Sequence, residues 1–409
     1  MFGVLSTESS DVSVDHYDLE VEPTTRRLPN FQWEDETDWP SYFIEQYLQA
    51  IISSPLIVIE TLTCVQYQKR IEPGEEEESY EAVEGNKAAE PLYLPRLQGD
   101  FAEVTRVIMA DNQETWSALF KGHLTHFCFR SLFQIIQPTI EETFNDYFDV
   151  FEDVNPWTLV LSHAITGTVL SPLELVRTRL IVQSSGHQRK KYFGPFHALW
   201  VISQEERPEP HSGILATFYS ARLLIPSLLI HSISPLIRYG SICFIEQELG
   251  LDTTFTPVLY KVCQLLCLGV EALMMAPVEL ARKRLFVQRL DGFGQGKLKP
   301  ATPNDSCIET YDEPYTGLID CLNSVVKHEG GKGAIQKPQQ LNNISTAEWQ
   351  SVYGGGTSPS PSGANKGMWN GMVGLGIGIS SMYRGFWPRY ASMLITFISE
   401  EITRDDYGW

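Results

Sequence analysis

SPLELVRTRLIVQSS, residues Ser171–Ser185, is the stretch on which the reading of the whole chain turns. A proline ends an apolar run, and charged residues follow at helical spacing as Glu174, Arg177 and Arg179. Two related stretches flank it, SPLIVIETLTCVQYQ over Ser54–Gln68 and APVELARKRLFVQRL over Ala276–Leu290. Aligned on Pro55, Pro172 and Pro277, the glutamines Gln66, Gln183 and Gln288 fall in register. Self-similarity at a fixed period of about a hundred residues marks a repeat architecture and is read before anything else. A proline inside a helix removes one hydrogen bond and kinks it. The copies therefore predict three kinked helices set around a pseudo-threefold axis.

Composition narrows the class. The chain has 409 residues, 43% of them hydrophobic, enough for a large core or several membrane crossings. Its 51 acids against 31 bases give a formal charge of −20, which argues against nucleic acid as a partner. The densest acidic runs, Glu34–Asp38 and Glu75–Glu78, read as solvated chain. Seven scattered cysteines form no disulfide framework and no zinc motif; Cys263 and Cys267 share a helix face as small apolar residues. The N-terminal stretch is acidic, unlike a secretory signal or an Arg-rich presequence, so membrane targeting is expected from internal segments.

Six apolar helical segments are predicted, at 41–69, 122–140, 156–183, 213–249, 255–288 and 385–402. None is a clean apolar run. His126 and Arg130 interrupt the second, His163 the third, Arg222, His231 and Arg238 the fourth, and Glu271 the fifth. Helices around a water-filled cavity look like this, as do helices of a soluble bundle. Their length combined with the repeat favours the membrane. The organisation predicted is an acidic disordered arm over 1–38, a degenerate repeat with a long loop over 39–145, a second repeat over 146–250 and a third over 251–409. A Gly/Ser/Pro-rich insertion at about 331–380 interrupts the last. Gly374, Gly376 and Gly378 follow no strand and read as linker, and Asn343-Ile344-Ser345 as a chance sequon. No phosphate loop or nucleophile elbow is present, and His123 and His126 lack a carboxylate partner. The expectation is a non-enzyme with no catalytic residues, no metal and no cofactor.

Pro172-Leu-Glu174-Leu-Val-Arg177-Thr-Arg179 and Pro277-Val-Glu279-Leu-Ala-Arg282-Lys-Arg284 resemble the signature of the mitochondrial carrier family: proline, any residue, an acid, two residues, a base. Tyr315-Thr-Gly317-Leu-Ile-Asp320, running to Glu329-Gly330, is similar to that family's short surface helix, and Tyr192-Phe-Gly194, running to Glu205, is a weaker copy. Phe120-Lys-Gly122, Tyr219-Ser-Ala221 and Tyr383-Arg-Gly385 match the starts of its even-numbered helices. The resemblance covers 41–402 apart from two inserted loops. It implies an all-α membrane protein, a six-helix bundle of three helix–loop–helix repeats with pseudo-threefold symmetry. It also implies a ring of ion pairs in which the acid of one signature meets the base of the next.

The first signature departs from that pattern. Ile57 replaces the acid, and Glu60 stands where Arg177 and Arg282 stand. By register, Glu174 faces Arg282, Glu279 faces Glu60 as a like-charge contact, and Arg177 faces Ile57 without a partner. At the opposite end, Glu141, Glu142, Asp146, Glu246 and Glu248 have no base nearby in sequence, and only Glu400/Glu401 with Arg404 fits the family. These departures, with the acidic charge, are similar to an outer-membrane branch of the family, the fungal Ugo-type fusion factors and their animal relatives. That resemblance implies an adaptor in mitochondrial fusion or organisation, with membrane lipid and dynamin-related fusion GTPases as partners and room for a homo-oligomer. The alternative is a divergent solute carrier working by alternating access. Glu271, at membrane depth, is expected to pair with an Arg or His on a neighbouring helix, His163 being one candidate, or to face a water-filled cavity. Arg130, Arg222 and Arg238 would hold an anionic solute, a lipid headgroup or a structural partner.

Overall fold

The computed structural model describes residues 39–69, 93–97, 99, 101–111, 114–149, 155–186, 190–206, 217–290, 298–299, 306–329 and 378–406. The expected acidic arm and almost all of the Gly/Ser/Pro-rich insertion lie outside these residues. The fold is helical. Long helices are α1 (Trp39–Val65), α3 (His123–Tyr147), α4 (Pro156–Val182), α6 (Ala221–Cys243), α7 (Pro257–Val287) and α9 (Phe386–Asp406). Short ones are α2 (Phe101–Ala110), α5 (Pro195–Glu205) and α8 (Leu318–His328). A single turn of 3-10 helix (Trp116–Phe120) precedes α3, and a π-turn (Phe244–Glu248) extends α6. A two-residue hairpin pairs Arg289–Leu290 with Leu298–Lys299.

Local sequence sets the helix ends. Asn155 caps α4 by accepting from the Trp157 amide at 3.0 Å, with Pro156 in the first turn. Proline also opens α5 and α7. Inside the helices, Pro55, Pro138, Pro172, Pro226, Pro235 and Pro277 are accommodated without ending them. The sequence reading of helix 1 as 41–69 overshoots, because Gln66 turns out of the helix to hold the backbone of Pro95 and Leu97. Helix 2 runs seven residues past the expected 140, to Tyr147; the apolar run ends there, but amphipathic spacing does not.

The long helices pack in chain order: α1 on α3, α3 on α4, α4 on α6, α6 on α7, α7 on α9, and α9 back on α1. The proline-bearing α1, α4 and α7 also contact one another, so they converge inside this circuit. Polarity is distributed inside out. Glu60, Glu174, Glu271, Glu279, Arg282, Lys283 and Arg284 are buried, while Ile52, Leu236, Leu266, Val270 and Met274 face outward. Four helices, Trp39–Val65, Pro156–Val182, Ala221–Glu248 and Pro257–Val287, are long and apolar enough to cross a membrane. At 1.5 Å per residue, 27 residues reach about 40 Å, more than the roughly 30 Å hydrocarbon core. Exposed Trp157 lies in the first turn of α4, where an amphipathic ring suits a membrane–water interface.

Candidate functional site

Where α1, α4 and α7 converge, the signature residues assemble into one buried charge network. Arg282 donates to Glu174 at 2.5 Å and, within α7, to Glu279 at 2.8 Å. Between Glu60 and Glu279 the structure corrects the expected like-charge contact. Arg389, from α9, lies 2.7 Å from Glu279 and 3.6 Å from Glu60, and Lys283 reaches Glu60 at 2.5 Å. Arg177 is not left without a partner either. It sits 3.9 Å from Glu174, meets His126 Nδ1 at 2.9 Å and lies over the Phe129 ring. Ile57 lies in an apolar cluster with Ile181 and Val182. The carboxylates Glu60, Glu174 and Glu279 are thus met by Arg177, Arg282, Lys283 and Arg389. Counting charges only at signature positions missed Lys283, one place beyond the signature base, and Arg389, in the first turn of α9.

His231 adds a neutral-capable partner. Its Nε2 lies 3.2 Å from Glu174, and its ring occupies the space at Gly167, where any Cβ would collide with it. Glycine at 167 is therefore what lets α6 lay an imidazole against α4.

A second constellation repeats around the same end. Arg179, seven residues past Pro172, donates to the carbonyls of Phe286 at 2.8 Å and Gln288 at 3.0 Å, and pairs with Glu206. Arg284, seven past Pro277, donates to the carbonyls of Cys64 at 2.9 Å and Gln66 at 3.3 Å, and pairs with Glu329. Each arginine, backed by an acid just after a short helix, thus ties down the frayed helix end of another repeat. The seventh residue past Pro55 is Leu62, which cannot do this. Its place is taken by Lys121, which donates to the Gln183 carbonyl at 2.6 Å and to Glu114 at 2.5 Å. Glu114 in turn accepts from the Ser185 amide at 2.6 Å. The glutamines in register each hold backbone groups: Gln66 accepts from Leu97 N at 2.7 Å and Gln183 from Tyr192 N at 3.0 Å. Gln288, with its amide turned to satisfy both groups, accepts from Tyr315 N at 2.7 Å.

Toward the other end of the helices, Glu271 pairs with Arg238 at 2.9 Å, and not with His163. His163 instead lies 3.1 Å from Gln137, which donates to Glu141 at 2.6 Å. Arg238 on α6 is the base in direct contact with Glu271, and Arg389 on α9 adds a longer-range attraction. Arg130 has structural partners in Gln46, Thr396 and Glu400. Of the acids at this end, Glu400 pairs with Arg130 and Glu401 with Lys261, while Glu246 accepts from the Tyr260 hydroxyl and Glu141 from Gln137.

Among the described residues no group of three or more His, Cys, Asp or Glu side chains is placed to hold a metal ion. Comparison with models of known protein families and with curated proteins gives no match.

Proposed function

We propose that the chain is a six-helix membrane bundle of the mitochondrial carrier type, with pseudo-threefold symmetry, that no longer exchanges solutes. In this reading it is an adaptor in mitochondrial fusion or organisation, seated in the outer membrane in preference to the inner. Its partners are membrane lipid and dynamin-related fusion GTPases. The bundle is supported by the closed circuit of long helices and by the Arg179 and Arg284 clamps, which connect corresponding positions of different repeats.

One observation carries the loss of transport. A carrier-type gate needs inter-repeat pairs that can separate and re-form at similar free energy. Here Arg389 joins Glu60 on α1 to Glu279 on α7 from a third helix, α9, and Lys283 adds a second base to Glu60. Parting α1 from α7 would strand buried carboxylates, at about 3–5 kcal/mol for each pair broken. The network supports a closure fixed across the α1–α7 and α4–α7 junctions.

Reconstitution into liposomes with a panel of anionic and cationic metabolites tests the reading, since robust exchange of any of them sinks it. Crosslinking in intact mitochondria with recovery of a fusion GTPase is the expected positive result. Protease access to the N-terminus in intact mitochondria distinguishes outer from inner membrane.

The divergent-carrier alternative keeps one supporting observation. Arg238 is 60% exposed although its partner Glu271 is 2% exposed, so a solvent-facing cation sits at helix mid-depth.

A further inference from the structure

We infer that the signature end parts along one seam, between α1 and α4, and that the segment Ser306–Glu309 is the latch that holds this seam shut.

The three junctions among α1, α4 and α7 are held by different chemistry. Across α4 and α7 run the Glu174–Arg282 pair and the Arg179 bonds to two α7-end carbonyls. Across α7 and α1 run the Lys283–Glu60 pair and the Arg284 bonds to the Cys64 and Gln66 carbonyls, with Arg389 bracing both helices. Among the described residues no ion pair joins α1 to α4. The two positions that would supply one hold Ile57 and Leu62, both buried and apolar. Arg177 makes its close contact with His126 on α3, and its attraction to Glu60 acts beyond ion-pair distance. Lys121 restores a hold on the Gln183 carbonyl, but from the α3 side of the seam, so it does not tie α1.

What crosses the seam instead is a strap from the third repeat. The Cys307 amide donates to the Val182 carbonyl at the end of α4, at 2.9 Å. Two residues on, the Glu309 carbonyl accepts from the Tyr67 amide just past α1, also at 2.9 Å. Between these bonds the Ile308 side chain, wholly buried, packs with Cys307 into the cluster of Val65, Leu94, Leu97, Ile181 and Val182. The strap folds back on itself through the Ser306 hydroxyl, which donates to the Ile308 carbonyl at 2.7 Å. Backbone bonds and one apolar plug thus replace charge at this junction. Such a contact is released by a local change in the strap without stranding any buried carboxylate. The other two seams cannot open on those terms.

The inference rests on these contacts and not on the proposed adaptor role, and its test reads distances only. Nitroxides are attached through unnatural amino acids to the full chain in lipid nanodiscs, leaving the native cysteines in place. One pair, Lys69 and Lys190, spans the α1–α4 seam; a second pair, Lys190 and Lys327, spans α4 to the helix packed on α7. In the wild type both pulsed-dipolar distance distributions are narrow. Ile308→Asp widens the Lys69–Lys190 distribution by about twofold and leaves Lys190–Lys327 unchanged, as expected for an opening local to one seam. Ile308→Ala, which only shortens the plug, produces a smaller change of the same kind. If Ile308→Asp fails to fold, Ile308→Ala alone decides. Widening of both pairs, widening of the control pair alone, or no change in either variant overturns the proposal.

Discussion

Replacing Arg389 by methionine keeps much of the side-chain volume and removes the α9 cation that pairs with both Glu60 and Glu279. At an effective dielectric of about 20, contacts of 2.7 and 3.6 Å correspond to roughly 6 and 5 kcal/mol of gross attraction. Most of this is offset by the desolvation of a buried guanidinium, and each acid retains a second base, Lys283 or Arg282. The remaining loss is about 3 kcal/mol, at the lower edge of the range for breaking a buried pair. With an unfolding entropy of about 2.1 cal/mol/K per residue, in a chain of 409 residues that lowers the midpoint of thermal unfolding by about 3–5 °C. Glu60→Gln alone is also destabilising, because Lys283 loses its close partner. In the double variant the two carboxylates no longer face each other without Arg389, and Lys283 lies near enough to Glu279 to serve it. The double-mutant cycle therefore shows a coupling of about 1–2 kcal/mol, the pair of changes costing less than their sum. The assay is thermal unfolding in detergent followed by a thiol-reactive fluorophore, for which buried Cys64 is a built-in reporter of this junction. An unchanged midpoint for Arg389→Met, or strict additivity with Glu60→Gln, would refute the idea that Arg389 bridges the acids.

Lys121→Met strands buried Glu114 and frees the Gln183 carbonyl, and lowers stability by about 2–4 kcal/mol; Lys121→Arg stays within about 1 kcal/mol, both read by the same unfolding assay. Gly385 has φ of 80°, and a Cβ there would meet Cys64 Sγ at 2.8 Å and the Glu60 carbonyl at 3.2 Å. Gly385→Ala is accordingly more destabilising than Gly194→Ala, where φ is 126° but nothing lies within 4 Å, and comparison of the two midpoints separates packing from backbone strain. Burial pushes the thiols of Cys307 and Cys321 up to about 12. A raised folded-state value contributes stability that is present below the unfolded thiol value and is lost as pH rises toward 12, so the unfolding midpoint falls progressively above about pH 9. Mass spectrometry after brief maleimide exposure at neutral pH finds these two thiols unmodified until the protein unfolds.

The sequence carried the long helices well, because their prolines and apolar spacing are local signals. The repeats also placed Glu174, Glu279 and Arg282 together, since register alone decides which face of each helix they share. What failed was the sum of charges. Reading only signature positions makes Glu60 an acid facing an acid. Lys283 is adjacent in sequence to Arg282, but its role depends on how α7 turns its neighbouring face toward α1. Arg389 lies on the last helix, more than a hundred residues from Glu279, and only the closing contact of α9 on α1 and α7 brings it in. Glu271 finds its base on a neighbouring helix, but in Arg238 and not in the candidate His163, since a chain-order argument cannot say which helix lies opposite.

The Lys121 clamp shows how such a loss can nevertheless be traced. At the end of an apolar helix the last carbonyls have no intrahelical donor, and burial away from water makes an unmet one expensive. Arg179 and Arg284 meet that need for the ends of α7 and α1, so the end of α4 must be met as well. Leu62 rules out the corresponding side chain, and a substitute donor had to reach Gln183 from elsewhere with an acid to neutralise it. Phe120-Lys121-Gly122 was visible in the sequence as a helix start, and Glu114 stands just before it. Repeat 1 therefore did not simply decay. The hold on the end of α4 comes from the threshold of α3 and not from α1 itself, and the strap at Ser306–Glu309 bonds across the junction between α1 and α4.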